Sequence, residues 1–102
     1  MSIKLIILKS GENIISDVKE LVSEENVVAY FLDNPHKVEC EKKIVFIQNI
    51  ENPEGEVELT ISPWVILSKD SRIPIKSDWI VTMVDPIPFL QEMYEDKING
   101  KS

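Results

Sequence analysis

The sequence predicts a mainly all-β domain of about five or six antiparallel strands in a small barrel or sandwich, followed by one C-terminal helix. Three observations carry this. Four short apolar runs are strand-length and rich in β-branched or aromatic residues: Leu5-Ile6-Ile7-Leu8, Ile44-Val45-Phe46-Ile47, Trp64-Val65-Ile66-Leu67 and Ile80-Val81-Thr82-Met83-Val84. Turn residues separate them, and a helical apolar spacing appears only near the C-terminus. The runs are apolar at consecutive positions, whereas a half-buried strand needs apolar side chains only at alternate ones. Their second face must therefore close a small barrel, lie under the helix or meet another subunit.

With 102 residues and 43% hydrophobic content, the chain reads as a single domain spanning 1–102, with strands over about 3–84 and a helix over about 86–98. The formal charge of −7 favours solubility and repels nucleic acid at long range, so a nucleic-acid site would have to gather its bases on one face. Cys40 is the sole cysteine, which excludes an internal disulfide and a thiolate metal cage; it reads as a small, semi-buried apolar residue. No stretch approaches the roughly 20 apolar residues of a membrane helix, and the N-terminal apolar core is too short for a signal peptide. A cytoplasmic setting with no membrane partner is the expectation.

The first strand is expected over about residues 3–9, ending at Ser10-Gly11, where Gly11 can take positive φ. A second follows over about 13–22, with Ile14, Ser16 and Val18 on one face and the more polar Ile15, Asp17, Lys19 and Leu21 on the other. After the polar turn at 23–26, a third strand over 27–32 is broken by Asp33-Asn34-Pro35. Residues 36–50 read as a continuing or further strand. Glu51-Asn52-Pro53-Glu54-Gly55 then makes a hairpin connection to a return strand that alternates Val57, Leu59 and Ile61 with Glu56, Glu58 and Thr60. Pro63 marks an edge or bulge. Residues 68–77, with Lys69, Arg72, Pro74 and Lys76, read as a basic loop, and 78–84 as the last strand. Asp85-Pro86-Ile87-Pro88 opens the helix; Phe89, Leu90, Met93, Tyr94 and Ile98 fall on or near one face, and Gly100 caps the end.

Catalytic motifs are missing. The sequence contains no G-x-S-x-G, P-loop, G-x-G-x-x-G or H-E-x-x-H. The one histidine, His36, sits in a turn, and the carboxylate pairs Glu24-Glu25 and Glu95-Asp96 fall in polar, solvated positions. Nothing assembles a nucleophile, a base and an orienting group, so a non-enzymatic protein with no metal and no cofactor is expected.

The element order and two local patterns resemble the Sm/LSm-like small barrels, which include the Hfq-type RNA chaperones. Leu8-Lys9-Ser10-Gly11 matches the leucine and turn glycine of that family's first motif. Ser16 stands where a second glycine usually permits a sharp bend, and Asn26, followed by Val27-Val28, falls at the base-contacting asparagine. Ile75-Lys76-Ser77-Asp78-Trp79-Ile80 keeps the spacing of the second motif, with Lys for Arg and Ser for Gly; Val22 replaces the usual Asp. The resemblance implies a strongly bent five- to six-stranded barrel with an extended hairpin and a C-terminal helix. It also implies a homo-oligomeric ring of about five to seven subunits, joined fourth strand to fifth. Trp64-Val65-Ile66-Leu67 and residues 80–84 would be the seams. Such a ring would bind RNA or single-stranded DNA, with Asn26 offered to a base edge, Lys76, Arg72 and Lys69 to phosphates, and Tyr30 or Trp79 to stacking. Asn26 reads alternatively as a turn residue, Trp79 as core or interface, and the basic loop as merely solvated. The Leu-Asp-Asn-Pro unit and acidic C-terminal helix also look like small proteins of marine T4-like phages, which would place the chain in a host cytoplasm. The alternative function is a structural, accessory or protein-interaction component of phage origin with no nucleic-acid role; a third is a host-directed modulator that docks through the acidic helix.

Overall fold

The computed structural model describes residues 1–43 and 56–100. Within them the chain forms β1 (Ile3–Leu8), β2 (Asn13–Ser23), β3 (Asn26–Lys43), β4 (Glu56–Pro63), β5 (Arg72–Lys76), a single 3-10 turn (Ser77–Trp79), β6 (Ile80–Val84) and α1 (Pro88–Ile98). The strands make one six-stranded antiparallel sheet in the order β4-β3-β2-β1-β6, and β5 also pairs with β3. The mainly-β class with a C-terminal helix holds. The barrel does not close: β4 and β6 stand at opposite ends of a small, strongly bent sheet. The apolar run at 44–47 and the connection at 51–55 lie outside the described residues.

The β1–β2 turn follows directly from Gly11. Its φ of +89° lets the chain reverse while the Gly11 N–H donates to the Leu8 carbonyl at 2.9 Å. From there β1 and β2 pair from Ile7↔Asn13 to Ile3↔Asp17.

Of the two readings for the stretch after Asp33-Asn34-Pro35, a continuing or a further strand, the first holds: β3 runs on through it. Asp33-Asn34-Pro35 does not break it but bulges it: Ile15↔His36 and Asp17↔Asp33 are cross-strand partners, so Ser16 of β2 faces both Asn34 and Pro35. Asn34 takes the left-handed conformation (φ 51°) that asparagine tolerates better than most residues. The extra residue reverses which face the even-numbered side chains occupy. Before the bulge Tyr30 and Leu32 point into one core; after it Val38 points into the other.

Those two cores explain the two-sided apolar runs. On one face Ile3, Ile15, Val38 and Ile61 pack under Leu90 and Tyr94 of α1, with Leu5, Leu59, Met93 and Ile98 at the margin. On the other, inside the bend, Ile6, Leu8, Ile14, Val18, Leu32 and Ile75 form a second cluster flanked by Tyr30, Trp64, Ile80 and Met83. β1 thus serves both faces, as its apolar run required. Phe89, expected on the packed face of α1, is instead exposed; it lies one residue, about 100° of helix, from Leu90. Asp85 does not cap the helix, which begins at Pro88 after Ile87, but pairs with Lys4.

Two segments differ from expectation for one reason. Beyond the bulge β3 pairs with β4 (His36↔Pro63 through Lys43↔Glu56), and before it with β5 (Asp33↔Arg72 through Ala29↔Lys76). Residues 72–76, read as loop because of Pro74 and three basic neighbours, are therefore strand. Residues 64–67, read as strand and seam, are not. They stand opposite the bulge, where β3 offers no regular pairing positions, and so they leave the sheet within an arch at 64–71. The feet of the arch are pinned by Trp64 N–H to the Pro35 carbonyl (3.0 Å) and Asn34 N–H to the Ser71 carbonyl (2.6 Å).

Candidate functional site

The bulge is where most of the buried polar chemistry converges. A bulge frees backbone carbonyls that the ladder would otherwise satisfy, and buried carbonyls need partners. Tyr94, fully buried on α1, supplies one: its hydroxyl proton is shared between the Asp33 carbonyl (2.9 Å) and the Asn34 carbonyl (3.0 Å), while its oxygen accepts from the Asp17 N–H at 3.2 Å. Ser16 Oγ donates to the Asp33 carbonyl at 2.9 Å, with the Asp17 carbonyl at 3.0 Å. His36 Nδ1 lies 2.8 Å from the Asn34 carbonyl, and its ring meets Tyr94 edge-on with centroids 5.6 Å apart. Ser16, noted in the sequence as the place for a strand bend, is fully buried at the bend itself.

Burial raises the Tyr94 hydroxyl above the ordinary phenol range. The Asp17 and Asp33 carboxylates add to the rise, while the Asp17 N–H and the Ser16 hydroxyl oppose it. Tyr94 therefore stays protonated and a donor at neutral pH.

On the outer face of the same bulge, Arg72 donates through Nε and Nη2 to both Asp33 carboxylate oxygens (2.6 and 2.9 Å) and lies 5.6 Å over the Phe31 ring. The bidentate guanidinium, the largest cause, and its charge hold the Asp33 carboxyl below its usual value, against a partial desolvation. Beside this pair is an open concavity of about 450 Å³ lined by Asp17, Asp33, Asn34, Ser71, Arg72 and Ile98, among others. A second, of about 310 Å³, lies under the arch against Pro35, Pro63, Val65, Ile66 and Ile73. Neither brings a nucleophile to a base, and among the described residues no cluster of His, Cys, Asp and Glu is arranged to hold a metal ion.

The six residues expected to contact nucleic acid do not form one surface. Asn26 sits at the β2–β3 turn, where Glu24 and Glu25 both take positive φ, and its Nδ2 donates to the Glu24 carbonyl at 3.3 Å. Tyr30 packs against the inner core. Arg72 is committed to Asp33, and Lys69 stands exposed on the arch. Lys76, exposed, pairs with Ala29 at the other end of β5, and half-exposed Trp79 follows in the 3-10 turn, its carbonyl accepting the Lys9 N–H at 3.0 Å. Asn26, Lys76 and Trp79 thus share one end of the sheet, and Lys69 and Arg72 the bulge end, separated along β5 by about 13 Å of strand. In the sequence Tyr94 reads only as a packing residue of the helix and Asp33 only as part of a strand break. The available signal was a turn-type triplet, Asp-Asn-Pro, inside an otherwise strand-like stretch.

Fold and site together define a small bent-sheet domain, cored on both faces, whose terminal helix is tied to one strand bulge. The chain belongs to a family of unknown function, DUF6561, whose model matches residues 1–99. No match was found among curated proteins. Among the described residues no helix is long and apolar enough to cross a membrane.

Proposed function

We propose that the protein is a non-enzymatic, self-assembling module of the Sm-like kind, acting in the cytoplasm as a ring of identical subunits. The observation that carries this reading is the open sheet: among the described residues, β6 at one end and β4 with β5 at the other have no strand paired on their outer sides. Free edges invite pairing with another chain, and apolar ones more so. Val81 and Val84 on β6 are exposed, as is Trp79 just before it. In the arrangement that the Sm resemblance implies, β4 and β5 together occupy the place of the fourth strand and β6 that of the fifth. Pro74 has no N–H to give, so a ladder along β5 carries one donor fewer, and the arch interrupts the edge between β4 and β5. Light scattering tests the reading: a discrete closed oligomer is expected, and a monodisperse monomer at all concentrations rules it out.

The gathering of Asn26, Lys76 and Trp79 favours a second activity for the same ring, weak binding of RNA or single-stranded DNA. Lys76 has no ion-pair partner among the described residues. The −7 charge and the commitment of Arg72 to Asp33 weigh against it. Fluorescence anisotropy with oligo(U) and oligo(A) decides: binding should fall steeply with salt and drop on Lys76→Ala and Asn26→Ala. Absence of binding at low ionic strength leaves the module a structural or accessory component.

A further inference from the structure

The 3-10 turn Ser77–Trp79 is the joint between two parts of the sheet: β5, which ends at Lys76, pairs with β3, and β6, which starts at Ile80, pairs with β1. Its backbone is held from both sides. Ser77 Oγ donates to the Val28 carbonyl at 3.3 Å on β3, and the Trp79 carbonyl accepts the Lys9 N–H at 3.0 Å just past β1. The joint thereby brings two lysines that are far apart in sequence, Lys9 and Lys76, to the same tryptophan.

These three side chains have no task in the fold. Trp79 is 47% exposed and stands outside both hydrophobic clusters, and its indole N–H has no hydrogen-bond partner among the described residues. Trp64 shows the opposite pattern: it packs on the inner core and donates to Glu12 Oε2 at 3.3 Å. Lys9 and Lys76 are exposed, and among the described residues neither has an ion-pair partner, whereas Lys4, Lys19 and Lys37 each have one. Asp78 is the one acid of the turn, so two lysines against one aspartate leave a local excess of base in a chain of −7. Glu12, on the neighbouring β1–β2 turn, is already engaged by Ser10, Trp64 and Lys37. A free indole beside two unpaired ammonium groups supplies what a nucleotide needs, an aromatic platform for the base and charge for the phosphate.

We propose that Trp79, Lys9 and Lys76 form a one-nucleotide site, in which the base stacks on the indole and the two ammonium groups hold its phosphate. The site rests on the nucleic-acid reading above and deepens it: Lys9 becomes a binding residue, and the contact centres on Trp79 at the joint. The nucleotide can be free or a link in a strand, since the chemistry recognised is the same. Stacking tolerates any base, so sequence preference should be weak.

Tryptophan emission of the full chain tests this, because a base stacked on Trp79 quenches it. At low ionic strength AMP or oligo(A) should quench saturably and adenosine far less, and the quenching should vanish in Trp79→Ala. Lys9→Ala should weaken binding and reduce its salt slope by about one. Both variants replace exposed side chains, so their melting should match the wild type. Saturation by AMP alone supports the site with a free nucleotide as its ligand, and a response to oligo(A) alone supports it with a strand. Oligo(A) binding, followed by anisotropy, that drops on Asn26→Ala but is unchanged in Trp79→Ala and Lys9→Ala overturns the site and leaves the nucleic-acid reading standing. Adenosine that quenches as strongly as AMP overturns the phosphate contact. A Trp79→Ala variant that binds normally but no longer assembles in light scattering makes Trp79 a seam residue and overturns the site. A chain that binds none of the three probes overturns both readings.

Discussion

The two halves of β3 are built on different plans. Residues 26–33 lie between β2 and β5 and feed Tyr30 and Leu32 into a core made by the sheet curling over itself. Residues 36–43 pair with β4, the first three of them also with β2, and Val38 feeds a core that the sheet cannot complete alone and that α1 must cover. One bulged residue separates the plans. A domain this small gains two interiors by letting one strand change face midway, and consecutive apolar residues on β1 then have somewhere to go on both sides.

The sharpest way to break the comparison is to delete Asn34. Regular pairing would keep Val38 opposite Asn13 but remove the bulge that turns the Asp33 and Asn34 carbonyls toward the Tyr94 hydroxyl, so α1 should come loose and the near-ultraviolet circular dichroism signal should be lost at a lower temperature in a thermal melt. Next come the cores themselves. Ile6→Ala, at a fully buried inner position, should cost about 2–5 kcal/mol of global stability by denaturant titration. Leu90→Ala should act differently, releasing α1 first, so that amide exchange rises across 88–98 while β1 and β2 stay protected.

The junction between the halves gives the smaller effects. Tyr94→Phe leaves the Asp33 and Asn34 carbonyls short of a donor and should cost about 1–3 kcal/mol. Because the folded state holds the Tyr94 proton more tightly than the unfolded chain, its contribution is complete below the ordinary phenol value of about 10 and is lost as pH rises through the higher folded value. The stability gap between wild type and Tyr94→Phe should therefore narrow in alkali; a constant gap contradicts the assignment. Smallest is Arg72→Ala, an exposed and solvent-screened pair. Asp33 is held below its usual value of 3.8, so the wild-type advantage should be present above that pH and fade as pH falls through the folded value.

Much of this was legible in the residues and some was not. The alternation of Ile14, Ser16 and Val18, the positive φ at Gly11 and the helix carrying Leu90, Met93, Tyr94 and Ile98 all express local rules of period and turn chemistry. The continuity of β3 was left open between a continuing and a further strand because Pro35 reads as a breaker to any local rule, while a bulge turns the same residue into part of a strand. β5 was hidden by Pro74, which an edge strand tolerates. Residues 64–67 looked like strand by composition and failed for want of a partner, a fact that belongs to β3 and not to them. For the candidate site, the small residue at the bend was visible at Ser16. Its link to Tyr94 was not, because nothing local connects positions 16, 33 and 94.

That link also sets a calendar for the growing chain. Two carbonyls in the middle of the longest strand wait for a hydroxyl that is synthesised some sixty residues later. Until the segment around Tyr94 has emerged, β2 and β3 can pair, but their bend stays wet and one face of the sheet stays bare. Contacts this distant in sequence form late and slowly, and half-finished sheets are the species that chaperones meet. The bend is thus completed only once α1 has been made and one aromatic ring has arrived.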